Sequence, residues 1–163
     1  MGTGVSLYLY VASIFIGPIS EEFGWSRGAI SFGSMMSFLT GAVTLPILGR
    51  YLDRLGFRRV AIFCCFGLAS VYALNALQTG VYEIYIAMMI AGGVFGGGTS
   101  SIIYTRPVIA SFARQRGLAL GIATAGTSIA AMIAPPLLMY VITEYGWRPG
   151  FFALAALTAL IGL

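Results

Sequence analysis

The sequence contains little charge and lacks two residue types entirely. Only 9% of the 163 residues are charged, and lysine and histidine are both absent. Soluble domains carry roughly one quarter charged residues, so water is not the main solvent of this chain. Because histidine is the commonest metal ligand and general base, its absence argues against a metal site and against acid–base enzyme chemistry.

Cysteine is also scarce, and its placement excludes the usual cysteine sites. Cys64 and Cys65 are adjacent. Neighbouring residues on a helix point in different directions, and the Cys-x-x-Cys spacing of metal and redox sites is missing. We interpret both as small apolar packing residues. The nine arginines give a net charge of +4, but they cluster in short segments, so nucleic acid is not an expected partner.

Apolar residues dominate what is present. They make up 59% of the chain, and the mean hydropathy is +0.94. A helix that crosses about 30 Å of hydrocarbon needs roughly 20 apolar residues. The pattern predicts an all-α integral membrane protein with helices at about 4–19, 29–48, 60–77, 84–106, 118–142 and 151–163. The last segment corresponds to about 20 Å of helix, so we expect a truncated sixth helix.

The arginines also predict the orientation of the helices. Short arginine-rich loops remain on the cytoplasmic side of a membrane. Four arginines follow the second apolar segment, and Arg114 and Arg116 follow the fourth, whereas the intervening loops hold four of the five acids. The N-terminus is therefore expected in the cytoplasm.

Two of the predicted external turns resemble each other. Residues 22–28 and 144–150 share the order acid, aromatic residue, Gly, Trp, two further residues, Gly. The similarity reflects either an internal repeat or two turns that meet the same structural demands. We interpret Trp25 and Trp147 as interfacial anchors, whose indole N–H groups reach water or lipid headgroups.

The most specific stretch is residues 49–59, Gly-Arg-Tyr-Leu-Asp-Arg-Leu-Gly-Phe-Arg-Arg. It resembles the loop signature of the major facilitator superfamily, Gly-x-x-x-Asp-(Arg/Lys)-x-Gly-x-(Arg/Lys), although Phe57 stands at a position that is often basic. The matching residues are Gly49, Asp53, Arg54, Gly56 and Arg58. We expect Gly49 to allow close backbone approach and Gly56 to adopt a positive φ.

The resemblance gives this loop a role. It implies a cytoplasmic latch in which Asp53 pairs with arginines such as Arg114 and separates from them during transport. The alternative is a basic loop with an incidental acid.

A second resemblance concerns residues 112–126, Phe-Ala-Arg-Gln-Arg-Gly-Leu-Ala-Leu-Gly-Ile-Ala-Thr-Ala-Gly, and residues 23–27. Both are similar to the monocarboxylate transporter and oxalate:formate antiporter branches, although the aromatic-rich stretch usual before the first helix of the monocarboxylate branch is missing. The resemblance implies the N-terminal six-helix half of a twelve-helix transporter, built as a 3+3 inverted repeat.

The same resemblance sets the expected function and location. It implies alternating-access transport of a small organic anion, such as a monocarboxylate or oxalate, with symport of a proton and exchange for a counter-anion both open. The implied partners are the bilayer of a bacterial inner membrane and the missing C-terminal half, with no cofactor and no enzyme activity. The alternatives are a half-size carrier acting as a homodimer and a non-transporting receptor or scaffold.

Polar residues within the apolar segments are candidates for lining a transport cavity. The candidates are Arg106, Tyr10, Tyr104, Thr124 and Ser128. An intramembrane arginine is costly, so Arg106 is a candidate cation for a carboxylate substrate, with snorkelling to the interface as the alternative. For any single hydroxyl, the alternative is a hydrogen bond back to its own helix.

Small residues recur every four positions in two of the segments. They predict faces where helices pack closely. One face holds Gly117, Gly121 and Ala125, and the other holds the glycine pairs of residues 92–97.

Overall fold

The computed structural model describes residues 5–100 and 116–162, and these ranges form six α-helices. The helices are α1 Val5–Phe23, α2 Arg27–Leu55, α3 Phe57–Ala76, α4 Tyr82–Gly98, α5 Arg116–Tyr145 and α6 Trp147–Ile161. The expectation of an all-helical chain is confirmed. Within the described ranges, α2, α3 and the Thr124–Tyr145 part of α5 have the length and hydropathy of membrane spans.

The helices continue beyond the apolar segments. α2 runs past Leu48 to Leu55 and α3 begins at Phe57, so the predicted loop at 49–59 is almost entirely helical. Hydropathy marks where the hydrocarbon ends, whereas arginine and leucine continue a helix in polar surroundings. α5 likewise extends beyond both ends of the segment predicted at 118–142, and α6 begins at Trp147, before the start of the segment predicted at 151–163. α4 instead ends at Gly98, earlier than the predicted end at residue 106, and residues 101–106 lie outside the described part of the chain.

A single glycine joins the helices at two of the turns. Gly56 connects α2 to α3 with φ 83°, and its N–H donates to the carbonyl oxygen of Leu52 at 3.1 Å. Gly146 connects α5 to α6 with φ 88°. Because other residues rarely adopt a positive φ, glycine allows the chain to reverse there without a longer loop. The backbone conformation expected for Gly56 agrees with the structure.

Pairs of helices from different parts of the chain pack against each other. α2 packs along α4, α5 packs along α1, and α3 packs against both α6 and α4. The core lies around Phe15 and Phe151, whose ring centroids are 4.3 Å apart, and Leu68 is buried beside them. The outer faces of α2 and α5 remain outside this core.

The small residues of α4 pack as predicted. A Cβ atom at Gly93 would collide with the carbonyl oxygen of Ser37 on α2, and one at Gly98 would collide with the thiol sulfur of Cys64 on α3. Cys64 and Cys65 are free and buried, which agrees with their interpretation as packing residues. α4 therefore lies against both α2 and α3 through residues without side chains.

The corresponding face of α5 behaves differently. A Cβ atom at Gly117 or Gly121 would meet no atom within 4 Å, and both glycines and Ala125 are exposed. No helix packs on this face within the described part of the chain, and its close packing stays a prediction.

Candidate functional site

The exposed face of α5 carries two of the predicted cavity residues. Gly121, Thr124, Ala125 and Ser128 lie at helical spacing on one side of the helix, and all four are exposed. The Thr124 hydroxyl donates to the carbonyl oxygen of Gly121 at 3.0 Å, and the Ser128 hydroxyl donates to that of Thr124 at 3.4 Å. Both hydroxyls thus bond back to their own helix.

The remaining predicted cavity residues are not placed by the structure. Arg106 and Tyr104 lie outside the described residues. Tyr10 belongs to α1, but its side chain is not among those described. A role in a cavity stays a prediction for all three.

The α2–α3 turn brings most of the signature residues together. Asp53 and Arg54 lie in the last turn of α2, Gly56 forms the joint, and Arg58 lies in the first turn of α3. A Cβ atom at Gly49 would meet no atom within 4 Å, so the close backbone approach expected there is not seen among the described residues. Arg114 lies outside the described residues, and its pairing with Asp53 stays a prediction.

A polar cluster at the opposite ends of the helices was not predicted. The Trp147 indole N–H donates to Glu22 Oε2 at 2.5 Å, and Arg148 Nη2 lies 2.6 Å from Glu22 Oε1. The Arg148 guanidinium also stacks over the Trp147 ring at 4.5 Å. These contacts connect the end of α1 to the start of α6.

The cluster changes the acidity of its carboxylate. Glu22 lies beyond Ile19, where the first apolar segment ends. Hydrogen bonds from Arg148 and, second, from Trp147 hold the pKa of Glu22 below its ordinary value of 4.5. The carboxylate is therefore charged at neutral pH.

Trp147 is not the interfacial anchor that the sequence suggested. Its side chain is 5% exposed, and its indole N–H is bonded to Glu22 instead of water or headgroups. Trp25 is half-buried, with ring centroids 5.4 Å from those of Tyr82 and Tyr85. The similar turns at 22–28 and 144–150 therefore pack near each other, and this similarity was the one signal that could have suggested their pairing.

The two similar turns also have similar backbones. Gly24 and Gly146 occupy the same motif position and have φ values of 66° and 88°. The first turn joins α1 to α2, and the second joins α5 to α6. An internal repeat and similar structural demands both stay predictions for this likeness.

A second unpredicted cluster lies inside the bundle. The Tyr8 and Tyr72 rings stack with centroids 5.8 Å apart, and the Tyr8 hydroxyl donates to the Met89 sulfur at 3.7 Å. The buried Tyr85 hydroxyl donates to the carbonyl oxygen of Ile30 at 3.0 Å. These hydroxyls are satisfied within the bundle, so the cluster stabilises the packing of α1, α2, α3 and α4.

Comparison with known families is decisive for the class of this protein. The whole chain, residues 1–163, matches the model of the Major Facilitator Superfamily. The chain belongs to this superfamily. It is therefore part of a multi-pass membrane protein from a family of transporters, not enzymes.

Individual superfamily members are distant from this chain. Monocarboxylate transporter 14 of Mus musculus is 30% identical over 138 residues, which cover 85% of this chain and 27% of the relative. Monocarboxylate transporter 9 of Rattus norvegicus is 27% identical over 129 residues, which cover 77% of this chain and 25% of the relative. Multidrug resistance protein MdtG of Proteus mirabilis is 26% identical over 166 residues, which cover 95% of this chain and 38% of the relative. The chain spans between 25% and 38% of the length of these relatives.

Membership of the superfamily gives the exposed apolar residues their physical setting. Met132 is 73% exposed and Val43 is 65% exposed, values that would be costly in water. In a membrane protein such side chains contact lipid or other transmembrane segments.

Proposed function

We infer that this chain forms the N-terminal half of a twelve-helix secondary transporter, which moves a small organic anion such as a monocarboxylate or oxalate by alternating access. Superfamily membership supports transport, and the monocarboxylate transporters among its relatives support the anion. The open face of α5, with its small and hydroxyl-bearing residues, is the observation that carries the proposal.

The first step concerns the surfaces that α2 and α5 leave uncovered. In their most apolar stretches, 11% of the α2 residues and 12% of the α5 residues are buried, compared with 44% in α3. Lipid-facing surfaces are normally built from large apolar side chains, whereas small and hydroxyl-bearing residues mark helix interfaces or polar cavities. Thr124 and Ser128, with Gly121 and Ala125 beside them, thus support a cavity in front of α5, with a second half of the transporter across it.

The second step concerns the symmetry of the contacts. Exchanging α1, α2 and α3 for α4, α5 and α6 converts the α2–α4 contact into the α5–α1 contact and leaves the α3–α6 contact unchanged. Inverted three-helix repeats in transporter halves have this relation. The contact pattern therefore supports the proposal of a 3+3 repeat within one half of a major facilitator fold.

The third step assigns roles to the charged residues. In the proposal Arg106 is the fixed cation of the cavity, since a guanidinium offers a planar pair of donors to a carboxylate. Asp53 and Arg114 form the cytoplasmic latch, and the N-terminus lies in the cytoplasm. The sequence has arginine but no lysine, so any basic side chain that binds a carboxylate is a guanidinium, whose hydrogen bonds are more directional than those of an ammonium group.

Transport by the intact protein in proteoliposomes tests the proposal. Labelled monocarboxylates and oxalate should enter saturably, and unlabelled anion should compete. Arg106→Ala should raise KM by about tenfold or more, because it removes a charge-assisted contact. The control Arg27→Ala, at the exposed start of α2, should leave KM unchanged.

The alternatives predict different results. Flux of cationic or neutral solutes without anion flux would disprove the anion assignment, and an unchanged KM in Arg106→Ala would mean that Arg106 snorkels to the interface. Folded protein without flux of any solute would favour a receptor or scaffold. A stop codon directly after Leu163 would favour a half-size carrier that acts as a homodimer.

A further inference from the structure

A groove opens between α2 and α3 next to the arginine-rich turn. It has a volume of about 460 Å³ and an almost entirely apolar lining. Six of the lining residues define its walls: Ile47, Tyr51 and Leu55 from α2, and Arg59, Val60 and Phe63 from α3. Phe63 is 70% exposed and Tyr51 is 53% exposed, so the groove is open to the surroundings of the bundle.

Arg59 is the one charged residue among those lining this groove in the described part of the chain. It lies in the first turn of α3, where the partial positive charge of the helix N-terminus adds to its own charge. It forms no ion pair within the described residues. Three further arginines and a single acid, Asp53, belong to the same turn, so this end of the groove has excess positive charge.

We propose that this groove binds one anionic phospholipid, whose acyl chain lies along Ile47 and Phe63 and whose phosphate group contacts Arg59. The groove belongs to a membrane protein, so acyl chains are the apolar molecules available to fill it. A guanidinium makes strong, charge-assisted hydrogen bonds to phosphate oxygens. A zwitterionic lipid carries a cationic group beside its phosphate and is therefore favoured less by the arginine-rich end.

A second groove in the same molecule provides an internal comparison. It lies between α5 and α6, has a volume of about 500 Å³ and is lined by apolar residues such as Leu137, Val141 and Leu157. No charged residue contributes to its lining within the described residues. An acyl chain in the α5–α6 groove would consequently show no preference for the charge of the headgroup.

Native mass spectrometry of the intact protein, titrated with phosphatidylglycerol and with phosphatidylcholine of the same acyl chains, tests the proposal. Arg59→Gln should weaken the tightest phosphatidylglycerol binding about tenfold, since one charge-assisted contact is lost, and should leave phosphatidylcholine binding unchanged. The matched control Arg50→Gln removes the same charge from an exposed residue outside the groove lining and should change binding less than about twofold, because general attraction to the lipid surface is shared by all arginines.

A second pair of variants tests the acyl-chain contact. Ile47→Trp fills the α2–α3 groove and should weaken phosphatidylglycerol binding, whereas Leu157→Trp fills the α5–α6 groove and should leave the preference for phosphatidylglycerol intact. Both residues are roughly half exposed, at 49% and 44%, so the larger side chains are tolerated by the fold.

Three results would overturn the proposal. They are equal affinity for the two lipids, an equal loss in Arg50→Gln and Arg59→Gln, and displacement of the lipid by inorganic phosphate alone. The last result would show that the arginines bind a free anion without using the apolar groove.

Discussion

Replacing Gly93 by alanine should force α4 away from α2. A Cβ atom at Gly93 would collide with the backbone carbonyl oxygen of Ser37 and lie 3.0 Å from the Cβ of Thr40. A backbone carbonyl cannot rotate aside as a long side chain can, so the two helices would have to separate. At the neighbouring Gly92, the nearest atoms would be Val71 Cγ1 at 3.6 Å and Ser37 Oγ at 3.8 Å, which is ordinary contact.

Comparing Gly93→Ala with Gly92→Ala isolates the free-energy cost of overpacking. Both substitutions replace glycine by alanine inside the same helix, so both gain about the same helix propensity, near 1 kcal/mol. Overpacking of a tight interface costs about 1–3 kcal/mol. The free energy of unfolding of Gly93→Ala should therefore be lower than that of Gly92→Ala by about 1–3 kcal/mol.

The buried thiols of α3 provide the assay. Cys64 and Cys65 are 1% and 3% exposed, so a thiol-reactive fluorogenic dye labels them when the bundle unfolds on heating. With other cysteines of the intact protein removed, Gly93→Ala should release dye fluorescence at a lower temperature than Gly92→Ala. Equal Tm values, or a lower Tm for Gly92→Ala, would refute the packing of α4 on α2 through Gly93.

Two further predictions concern the ends of the helices. Because the pKa of Glu22 is lowered in the fold, its stabilising contribution is complete above its ordinary pKa of 4.5 and is lost as the pH falls below that through the folded pKa. The Glu22 and Arg148 side chains are 36% and 42% exposed, so we expect an acid-induced loss of about 0.2–1 kcal/mol that is absent from Glu22→Gln in melting curves at pH 7 and pH 3. For the proposed orientation, Thr79→Cys should react with a membrane-impermeant maleimide on intact cells and Arg54→Cys only on permeabilised cells; the reverse pattern would disprove it.

Hydropathy predicted the helices well but placed their ends poorly. The existence of each apolar helix follows from the length needed to cross hydrocarbon, which is a property of the bilayer as much as of the chain. The end of α2 at Leu55 instead of Leu48 depends on backbone hydrogen bonds that continue through arginine and tyrosine residues outside the apolar stretch. Glycine with a positive φ, as at Gly56, marks such an end more accurately than the loss of hydropathy.

The candidate sites show a similar division between local and distant information. The four-residue spacing of glycine predicts a smooth helix face, and Gly93 packs accordingly, but the same spacing at Gly117 and Gly121 leaves an open face. The spacing of small residues shows that another helix can approach this face closely, but it does not show which helix does so. The contact between Glu22 and Trp147 joins residues 125 positions apart, and only the likeness of the two turns pointed to such a pairing.

The one-residue joint at Gly56 has a mechanical consequence. A single residue between two helices contributes only two backbone torsions, so the connection is too short to compensate for a tilt of α2. Any displacement of the end of α2 must therefore reach the first turn of α3, where Arg59 lies, within the same movement. The α2–α3 hairpin therefore transmits a tilt of α2 directly to the groove between the two helices.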